Sequence, residues 1–275
     1  MRKTVALLAL IVFATMVLGA TPASGKRRAF EHRFSIICGF SHFALDDPIV
    51  SPGVDANHLH AFFGNASANR GSTYVTMRAL ALTTCEFPPD TAGYWVPALL
   101  APDGTAVQPV HLFAYYRSFG IFNRTAVAAF PADLRMVSDQ FEWLCRDSQA
   151  FRSPPNCDTR RNGHRDVGLR ITFPFCWDGV NLDSVDHRSH VAFGSSRGGC
   201  PASHPIAMPR LAINVRFATK DARGYLLSSG APSTAHGDFW NTWDQVALEE
   251  LVQRCLGATA RRFCGRIKAT LPRLI

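Results

Sequence analysis

Histidine and aspartate side chains, which can bind metal ions or transfer protons, are concentrated in three stretches of this sequence: residues 41–65, 176–190 and 236–241. The chain holds 10 histidines, yet charged residues make up only 18% of it, below the ~25% typical of soluble domains. Polar chemistry is therefore gathered in few places. We expect the three stretches to meet in one polar site.

Two imidazoles stand two residues apart in His58-Leu59-His60. Alternate side chains of an extended strand share a face, so both rings would point the same way. This spacing suits two ligands of a divalent metal, with a third from His42, His190 or an aspartate, and such a set can hold zinc, copper, iron or manganese. The alternative is a hydrogen-bonded patch that only orders loops.

Adjacent carboxylates occur in Asp46-Asp47-Pro48. If both are buried they repel, so one keeps a proton near neutral pH, and such a pair can act as acid and base in glycoside cleavage. The chain has 16 Asp and 5 Glu, so an aspartate is the expected catalyst. We name Asp46, Asp47 and Asp183 as catalytic candidates. The alternative for Asp46-Asp47 is a turn, because Asp before Pro favours loop caps.

The second and third stretches supply polar and aromatic groups for substrate binding. In Trp177-Asp178-Gly179 we expect a turn, and the carboxylates that follow it either fix a long loop or bind calcium. Trp95 and Trp177 are flanked by turn or polar residues and are candidates for stacking on sugar rings, whereas the other aromatics are assigned to the core. The substrate-binding candidates are Asn65, Trp95, Trp177, Asp178, His190, His236 and Asp238.

Familiar catalytic motifs give no other lead. The sequence lacks a Gly-x-Ser-x-Gly elbow, a His-Glu-x-x-His helix and a phosphate-binding loop. A serine hydrolase therefore has no motif support.

The N-terminal stretch resembles a secretory signal. Arg2 and Lys3 precede an apolar run over residues 5–20, and small residues follow it. The run is shorter than the ~20 apolar residues that span a membrane, and no later segment is long and apolar enough. We expect residues 1–25 to be a signal peptide and residues 26–275 to be one domain, secreted to the medium or cell wall.

An even number of cysteines in an exported chain indicates disulfides. Eight cysteines allow 105 complete pairing schemes. Short loops favour three disulfides, Cys145–Cys157, Cys176–Cys200 and Cys255–Cys264, and this leaves Cys38–Cys85 as the fourth. The alternative is a zinc site, but the chain has no Cys-x-x-Cys. Because every cysteine has a plausible partner, a cysteine nucleophile is not expected.

The formal net charge is +8, with Lys+Arg 29 against Asp+Glu 21. The basic residues are scattered in short clusters, whereas nucleic-acid binders gather them on one face. Nucleic acid is therefore not an expected partner.

Alternating apolar residues predict short strands separated by turns: Tyr74–Leu82, Val110–Tyr116, Val167–Phe173 and Leu211–Phe217. One helix is predicted near the end, capped by Asn241, with Asp244 in its first turn and Gly257 at its stop. Its expected apolar face is Val246, Leu248, Leu251, Val252 and Cys255. We therefore predict a mainly β fold, a sandwich or jelly roll with long loops, disulfides and a C-terminal helix.

Five motifs together resemble one family. They begin with Ser41-His42 running into Asp46-Asp47-Pro48 and continue as His58-x-His60-x-Phe62-Phe63-Gly64-Asn65, Tyr94-Trp95-Val96-Pro97, Cys176-Trp177-Asp178-Gly179 with the residues up to His190, and His236-Gly237-Asp238-Phe239. This order is similar to the DUF1996 family of secreted bacterial and fungal proteins, over about residues 34–256. Fungal relatives are often joined to WSC-type carbohydrate-binding modules. The resemblance implies an extracellular setting and a connection with glycans, and no mechanism.

Our hypothesis from the sequence is a secreted protein that binds or hydrolyses extracellular polysaccharide through a His/Asp-rich site. In it Asp47 or Asp183 acts as acid and base, and His58 and His60, with His42, hold a divalent metal such as zinc, copper or calcium, or position the substrate. The alternative is a non-catalytic glycan-binding or structural module whose His/Asp network only orders loops.

Overall fold

Strands with alternating apolar residues dominate the fold. The computed structural model describes residues 32–118, 127–146, 149–157, 166–195, 199–257 and 264–269. Within these ranges the strands are β1 (Arg33–Ala44), β2 (His60–Gly64), β3 (Gly93–Pro97), β4 (Leu99–Leu100), β5 (Pro109–Arg117), β6 (Arg135–Ser138), β7 (Phe141–Arg146), β8 (Gln149–Phe151), β9 (Gly168–Thr172), β10 (Cys176–Trp177), β11 (Val191–Ala192), β12 (Ile206–Ala207), β13 (Arg210–Phe217), β14 (Leu226–Leu227), β15 (Gly237–Trp240) and β16 (Gly265–Arg266). The α-helices in the same ranges are α1 (Tyr74–Leu80) and α2 (Gln245–Leu256).

One large sheet runs in the order β6-β15-β3-β2-β1-β5-β13-β9-β7-β8, and β16 adds to β1 in parallel. The neighbouring pairs along this order are antiparallel. Small separate sheets are formed by β11-β10-β12 and by β14-β4. The mainly β prediction is confirmed.

Strand β1 joins the two halves of the large sheet. Its first part pairs with β5 and its last part with β2, and the register with β2 shifts between Phe40 and Phe43. Such a bulge bends a strand and increases its twist. Apolar residues of both halves, among them Ile36 on β1 and Phe63 on β2, belong to one buried core cluster.

The opposite face of the β2 half carries a second, smaller cluster. Phe62 and Trp95 lie opposite each other in register and pack in it with Met77 of α1, whereas their neighbours Phe63 and Tyr94 belong to the main core. Side chains that alternate along a strand point to opposite faces. This second face, packed against by α1 and by Ile49 of the loop that follows β1, is where the polar stretches meet.

The strands predicted over 110–116, 167–173 and 211–217 are confirmed as β5, β9 and β13. The strand predicted over Tyr74–Leu82 is wrong, because this segment forms α1. Thr73 caps the helix in a reciprocal capping box with Thr76. The apolar and β-branched residues of the segment resemble a strand, but the box starts a helix that buries Met77.

The C-terminal helix is confirmed, with one correction at its start. Asp244 is the N-cap and its carboxylate accepts from Ala247 N–H at 3.0 Å. Asn241 is fully buried instead, and its amide donates to the Phe130 and Pro131 carbonyls. Gly257 ends the helix as predicted. Of the expected apolar face, Val246 is exposed and the other four residues are buried.

The four predicted disulfides are confirmed: Cys38–Cys85, Cys145–Cys157, Cys176–Cys200 and Cys255–Cys264. The described residues belong to one compact unit, Glu31–Ile275, and contain no helix with the length and apolar character to cross a membrane. The signal segment, residues 1–25, lies outside the described residues.

Candidate functional site

Three imidazoles meet where strands β2 and β15 begin. His60 opens β2, His58 precedes it by two residues, and His236 lies directly before β15. The ring centroids of His58 and His60 are 4.2 Å apart, as expected for side chains on one face. The ring of His236 lies 5.1 Å from that of His58 and 5.8 Å from that of His60. A ligand nitrogen from each ring lies within 4.8 Å of the other two.

Hydrogen bonds fix the tautomer of each ring. Every Nδ1 lies against a carbonyl oxygen: that of Asp46 for His60 at 3.0 Å, that of Thr234 for His236 at 2.9 Å, and that of the Asn57 side chain for His58. A carbonyl oxygen only accepts, so each Nδ1 carries the hydrogen. In the neutral rings the lone pair is therefore on Nε2.

These lone pairs converge. The Nε2 atoms of His58 and His236 are 3.3 Å apart. With both Nδ1 atoms protonated, neither Nε2 of the neutral rings can donate to the other, so two lone pairs face each other. His60 Nε2 is buried and has no hydrogen-bond partner among the described residues. A cation between the three nitrogens would bind all three lone pairs. Histidines that bind metals usually donate their other ring N–H to an oxygen acceptor, as these three do.

Two carboxyl groups lie close to His60. Asp47, His60 and Asp238 form a second group whose ligand atoms lie within 4.8 Å of one another, and it shares His60 with the first group. Asp238 on β15 is fully buried, and neither of its carboxyl oxygens has a hydrogen-bond partner within the described part of the chain. Asp47 Oδ1 accepts from the Ile49 and Val50 N–H groups at 3.1 and 3.0 Å.

Burial shifts the pKa of every group in this cluster toward its neutral form. It lowers the pKa of His58 to about 4, together with the nearby His236, and it lowers the pKa values of His60 and His236. Burial raises the pKa of Asp47, although hydrogen bonds from two backbone N–H groups act in the opposite direction. Burial also raises the pKa of Asp238, and the charge of Asp47 raises it further. A bound cation reverses this preference for the carboxyl groups.

A pocket of about 380 Å³ opens over the cluster. Its lining includes Asp47, His58 and His236, whereas His60 and Asp238 lie beneath. Arg188 lines the same pocket and donates to Asp139 at 2.6 Å. The arrangement is a polar centre with one side open to solvent, as catalytic metal sites require.

The other two catalytic candidates lie outside this centre. Asp46 is buried against Arg70, which donates to its carboxylate at 2.6 Å, and it meets His60 only through its backbone carbonyl. Asp183 bonds to His187 at 2.9 Å and lies 3.7 Å from Arg135. Asp46 therefore positions a ring, and Asp183 orders its own loop.

The third ligand was expected from His42, His190 or an aspartate. His42 and His190 lie outside the cluster, whereas His236 joins His58 and His60, and Asp47 and Asp238 lie beside His60. The ring of His42 stacks on Phe62 at 4.8 Å, with the ring planes 2° apart. His190 bonds through Nδ1 to Ser184 and through Nε2 to the Arg135 carbonyl. Both histidines order the surroundings of the site.

The remaining substrate-binding candidates have structural contacts. Asn65 is fully buried, and its amide donates to the Met77 and Thr91 carbonyls. Trp95 is also fully buried, so the stacking role expected of it is wrong. Trp177 keeps part of its surface and donates to the Asn181 carbonyl, and Asp178 caps the turn after it.

Two features of the site were not predicted from the sequence: the role of His236 and Asp238 in the cluster, and the position of Arg188 at the pocket. His236 and Asp238 were expected to bind substrate, but their side chains join the imidazole and carboxyl cluster itself. Their spacing of two residues, like that of His58 and His60, is the signal that places both on one face of a strand. Arg188 was not expected at the pocket at all. A further grouping of Cys38, Cys85 and Asp90 holds no site, because the two sulfur atoms are joined.

One comparison with known proteins gives a match. The family model described as "Domain of unknown function (DUF1996)" matches residues 47–243, which include every member of the imidazole and carboxyl cluster. No curated protein and no solved structure matches the chain. The match covers well over half of the chain, so this protein belongs to the DUF1996 family.

Proposed function

We propose that this protein is a secreted, metal-dependent hydrolase of extracellular polysaccharide, with its centre at His58, His60 and His236. The observation that carries the proposal is the convergence of three Nε2 lone pairs, each fixed by a carbonyl oxygen behind the ring. Three neutral imidazoles suit zinc or copper. Calcium prefers six to eight oxygen ligands, and the nitrogen-rich centre favours it less.

The buried carboxyl groups have different roles in this proposal. Asp238 is fully buried, and its carboxyl group lies within ligand distance of His60 and Asp47, so in this proposal it is a carboxylate beside the His60 ligand. Asp47 lines the pocket, and one of its oxygens is held by two backbone N–H groups. In this proposal the other oxygen of Asp47 takes a proton from water.

A metal held by His58, His60 and His236 would supply a water whose pKa is lowered to near 7. Hydrolysis of a glycosidic bond would add a water hydroxyl to the sugar carbon and a proton to the leaving oxygen. Asp47 accepts the proton and returns it to the leaving oxygen. Arg188 lies at the pocket wall, where it faces a substrate that enters.

The extracellular setting and the polymeric substrate rest on separate observations. The four disulfides fit an oxidising compartment, and the first 25 residues resemble a secretory signal. The pocket is partly open to solvent, which leaves room for a segment of a polymer chain to enter.

The test is hydrolysis of a polysaccharide panel by the oxidised protein. We expect new reducing ends with one substrate, loss of this activity after chelation, and recovery with zinc or copper. Asp47→Asn should lower the rate by ~100-fold or more, the scale of general-base catalysis, and keep the metal. Asp183→Asn is the matched control and should keep its rate. Activity that persists without metal, or that Asp47→Asn leaves unchanged, would contradict the proposal.

A non-catalytic glycan-binding role is the second candidate. It is favoured by Arg188 at the pocket wall, which offers a cationic group to a polar ligand whether or not a bond is cleaved. It predicts saturable binding without product release, unchanged by Asp47→Asn.

A further inference from the structure

Part of the pocket wall is an apolar patch that borders the imidazole and carboxyl cluster. The patch consists of the side chains of Val50, Ala56 and Val137. The Val50 N–H donates to Asp47 at 3.0 Å, and Ala56 precedes His58 by two residues. Val137 on β6 stands opposite Asp238 on β15. Each of the three is thus tied to a member of the cluster by a hydrogen bond, by the chain or by strand pairing.

The charged side chains elsewhere in this wall already have partners. The Asp55 carboxylate pairs with Arg70, and Arg188 donates to Asp139 at 2.6 Å. Asp47 accepts from backbone N–H groups through one oxygen and has no arginine or lysine partner among the described residues. Of the carboxyl groups described in the wall, Asp47 is therefore the one available to carry a proton.

The apolar patch favours a substrate group that is small and apolar. A hydroxyl placed against the patch would lose its bonds to water without gaining others, whereas a methyl group gains free energy by leaving water. Sugar rings present hydroxyls, and a common apolar group on a polysaccharide is an acyl substituent such as acetyl. The pocket volume of about 380 Å³ is near the lower end of the range for ligand pockets, which favours a short acyl chain.

We propose that the same centre removes short acyl groups, such as acetyl, from the hydroxyls of an extracellular polysaccharide by hydrolysing the ester bond. The inference rests on the metal centre of the proposed function and concerns a different bond. A cation held by the three imidazoles would polarise the ester carbonyl and stabilise the negative charge that develops on its oxygen. The apolar patch would hold the methyl end of the acyl group.

Ester hydrolysis needs one group that moves a proton, and Asp47 lies in the wall for that purpose. The oxygen of water bonds to the acyl carbon, and the bond from that carbon to the sugar oxygen breaks, with its electron pair left on the sugar oxygen. Asp47 takes the proton released by water and passes it to the sugar oxygen. The products are the free carboxylic acid and the sugar hydroxyl, and no oxidant or reductant takes part.

The test measures released acetate and new reducing ends separately, with acetylated xylan, glucomannan and alginate as substrates and the deacetylated polymers as blanks. We expect the zinc-loaded protein to release acetate from at least one polymer, and chelation to abolish the release. Asp47→Asn should lower the rate of release by ~100-fold or more.

The two products separate failure of this inference from failure of the proposed function. Acetate without new reducing ends supports this inference and counts against glycosidic cleavage of that polymer. New reducing ends without acetate would overturn this inference alone. Acetate release that persists after chelation, or a folded, metal-loaded protein that releases no acetate from any of the three polymers, would also overturn it.

Val50→Thr tests the apolar patch, because it replaces one methyl group by a hydroxyl at an exposed position and keeps the shape of the side chain. It should raise KM for the acetylated polymer by about 2- to 4-fold, up to the worth of one methylene-sized contact, and leave the metal content unchanged. The matched control is Val54→Thr, an exposed valine of the same loop outside the pocket lining, which should keep its KM. An equal effect in both variants, or none in Val50→Thr, would overturn the role of the patch.

Discussion

At the scale of single residues, buried carboxyl groups carry much of what distinguishes this protein. Asp90 is fully buried on the core side of the sheet, and the hydroxyl of Tyr94 donates to it. That hydroxyl lies 2.6 Å from the hydroxyl of Tyr116, to which Trp243 donates at 2.9 Å. The chain of bonds links the loop before β3 to Trp243, two residues before α2.

Asp90 should make stability depend on pH. Burial raises its pKa to about 8, so the folded protein keeps a proton that the unfolded chain loses above about pH 4. The contribution of this group to stability is therefore greatest below the unfolded pKa and is lost as pH rises through the folded one.

We predict that Asp90→Asn reduces the fall in the free energy of unfolding between pH 5 and pH 8, by up to ~1.4 kcal/mol per pH unit. In the wild type Asp90 accepts a hydrogen bond from the Ala92 N–H, and the side-chain oxygen of the asparagine can still accept it. Denaturant titration at several pH values measures the slope. The exposed Asp103→Asn is the control, and an equal change of slope in both variants would show that Asp90 is not the cause.

At the scale of elements, alternating apolar residues led to correct strand predictions, whereas a helix cap was missed. The strands β5, β9 and β13 follow from alternating apolar residues, since each has one face in the core. Segment 74–82 has strand-like composition, but a capping box formed by the side chains of Thr73 and Thr76 starts a helix there. The overall composition of a segment does not reveal such a local box. Burial of Met77 against the rest of the protein then stabilises the helix.

The start of α2 offers a direct test of the corrected cap. Asp244→Ala removes the carboxylate that accepts from Ala247 N–H and should cost about 1 kcal/mol. Asn241→Ala should cost more, about 1–3 kcal/mol, because the carbonyls of Phe130 and Pro131 lose a buried donor. Equilibrium unfolding compares the two, and a larger loss for Asp244→Ala would contradict this assignment.

At the scale of the whole molecule, the fold brings together residues that are far apart in the chain. His58 and His236 are separated by 178 positions, and their Nε2 atoms are 3.3 Å apart. The i, i+2 spacing of His58 and His60 predicts that those rings share a face. It does not predict that β15 lies beside β3, which is what brings His236 and Asp238 to them.

For this reason the sequence does not distinguish His236 from the two histidines named as sources of a third ligand. His42 and His190 are as polar as His236 and lie in similar motifs, and only strand order separates them. The same order leaves Asp183 in its own loop with His187. In our proposal, three segments, none of them a metal motif alone, assemble into one cation site.

Elemental mass spectrometry of the purified, oxidised protein tests this claim most directly. We predict close to one zinc or copper per chain in the wild type, and loss of most of it in His58→Gln and His236→Gln, both of which remove a convergent Nε2. His204→Gln, at a half-buried histidine that bonds to the Ser189 carbonyl outside the centre, should keep the metal. A folded wild type that takes up neither metal, even after incubation with each, would contradict the account.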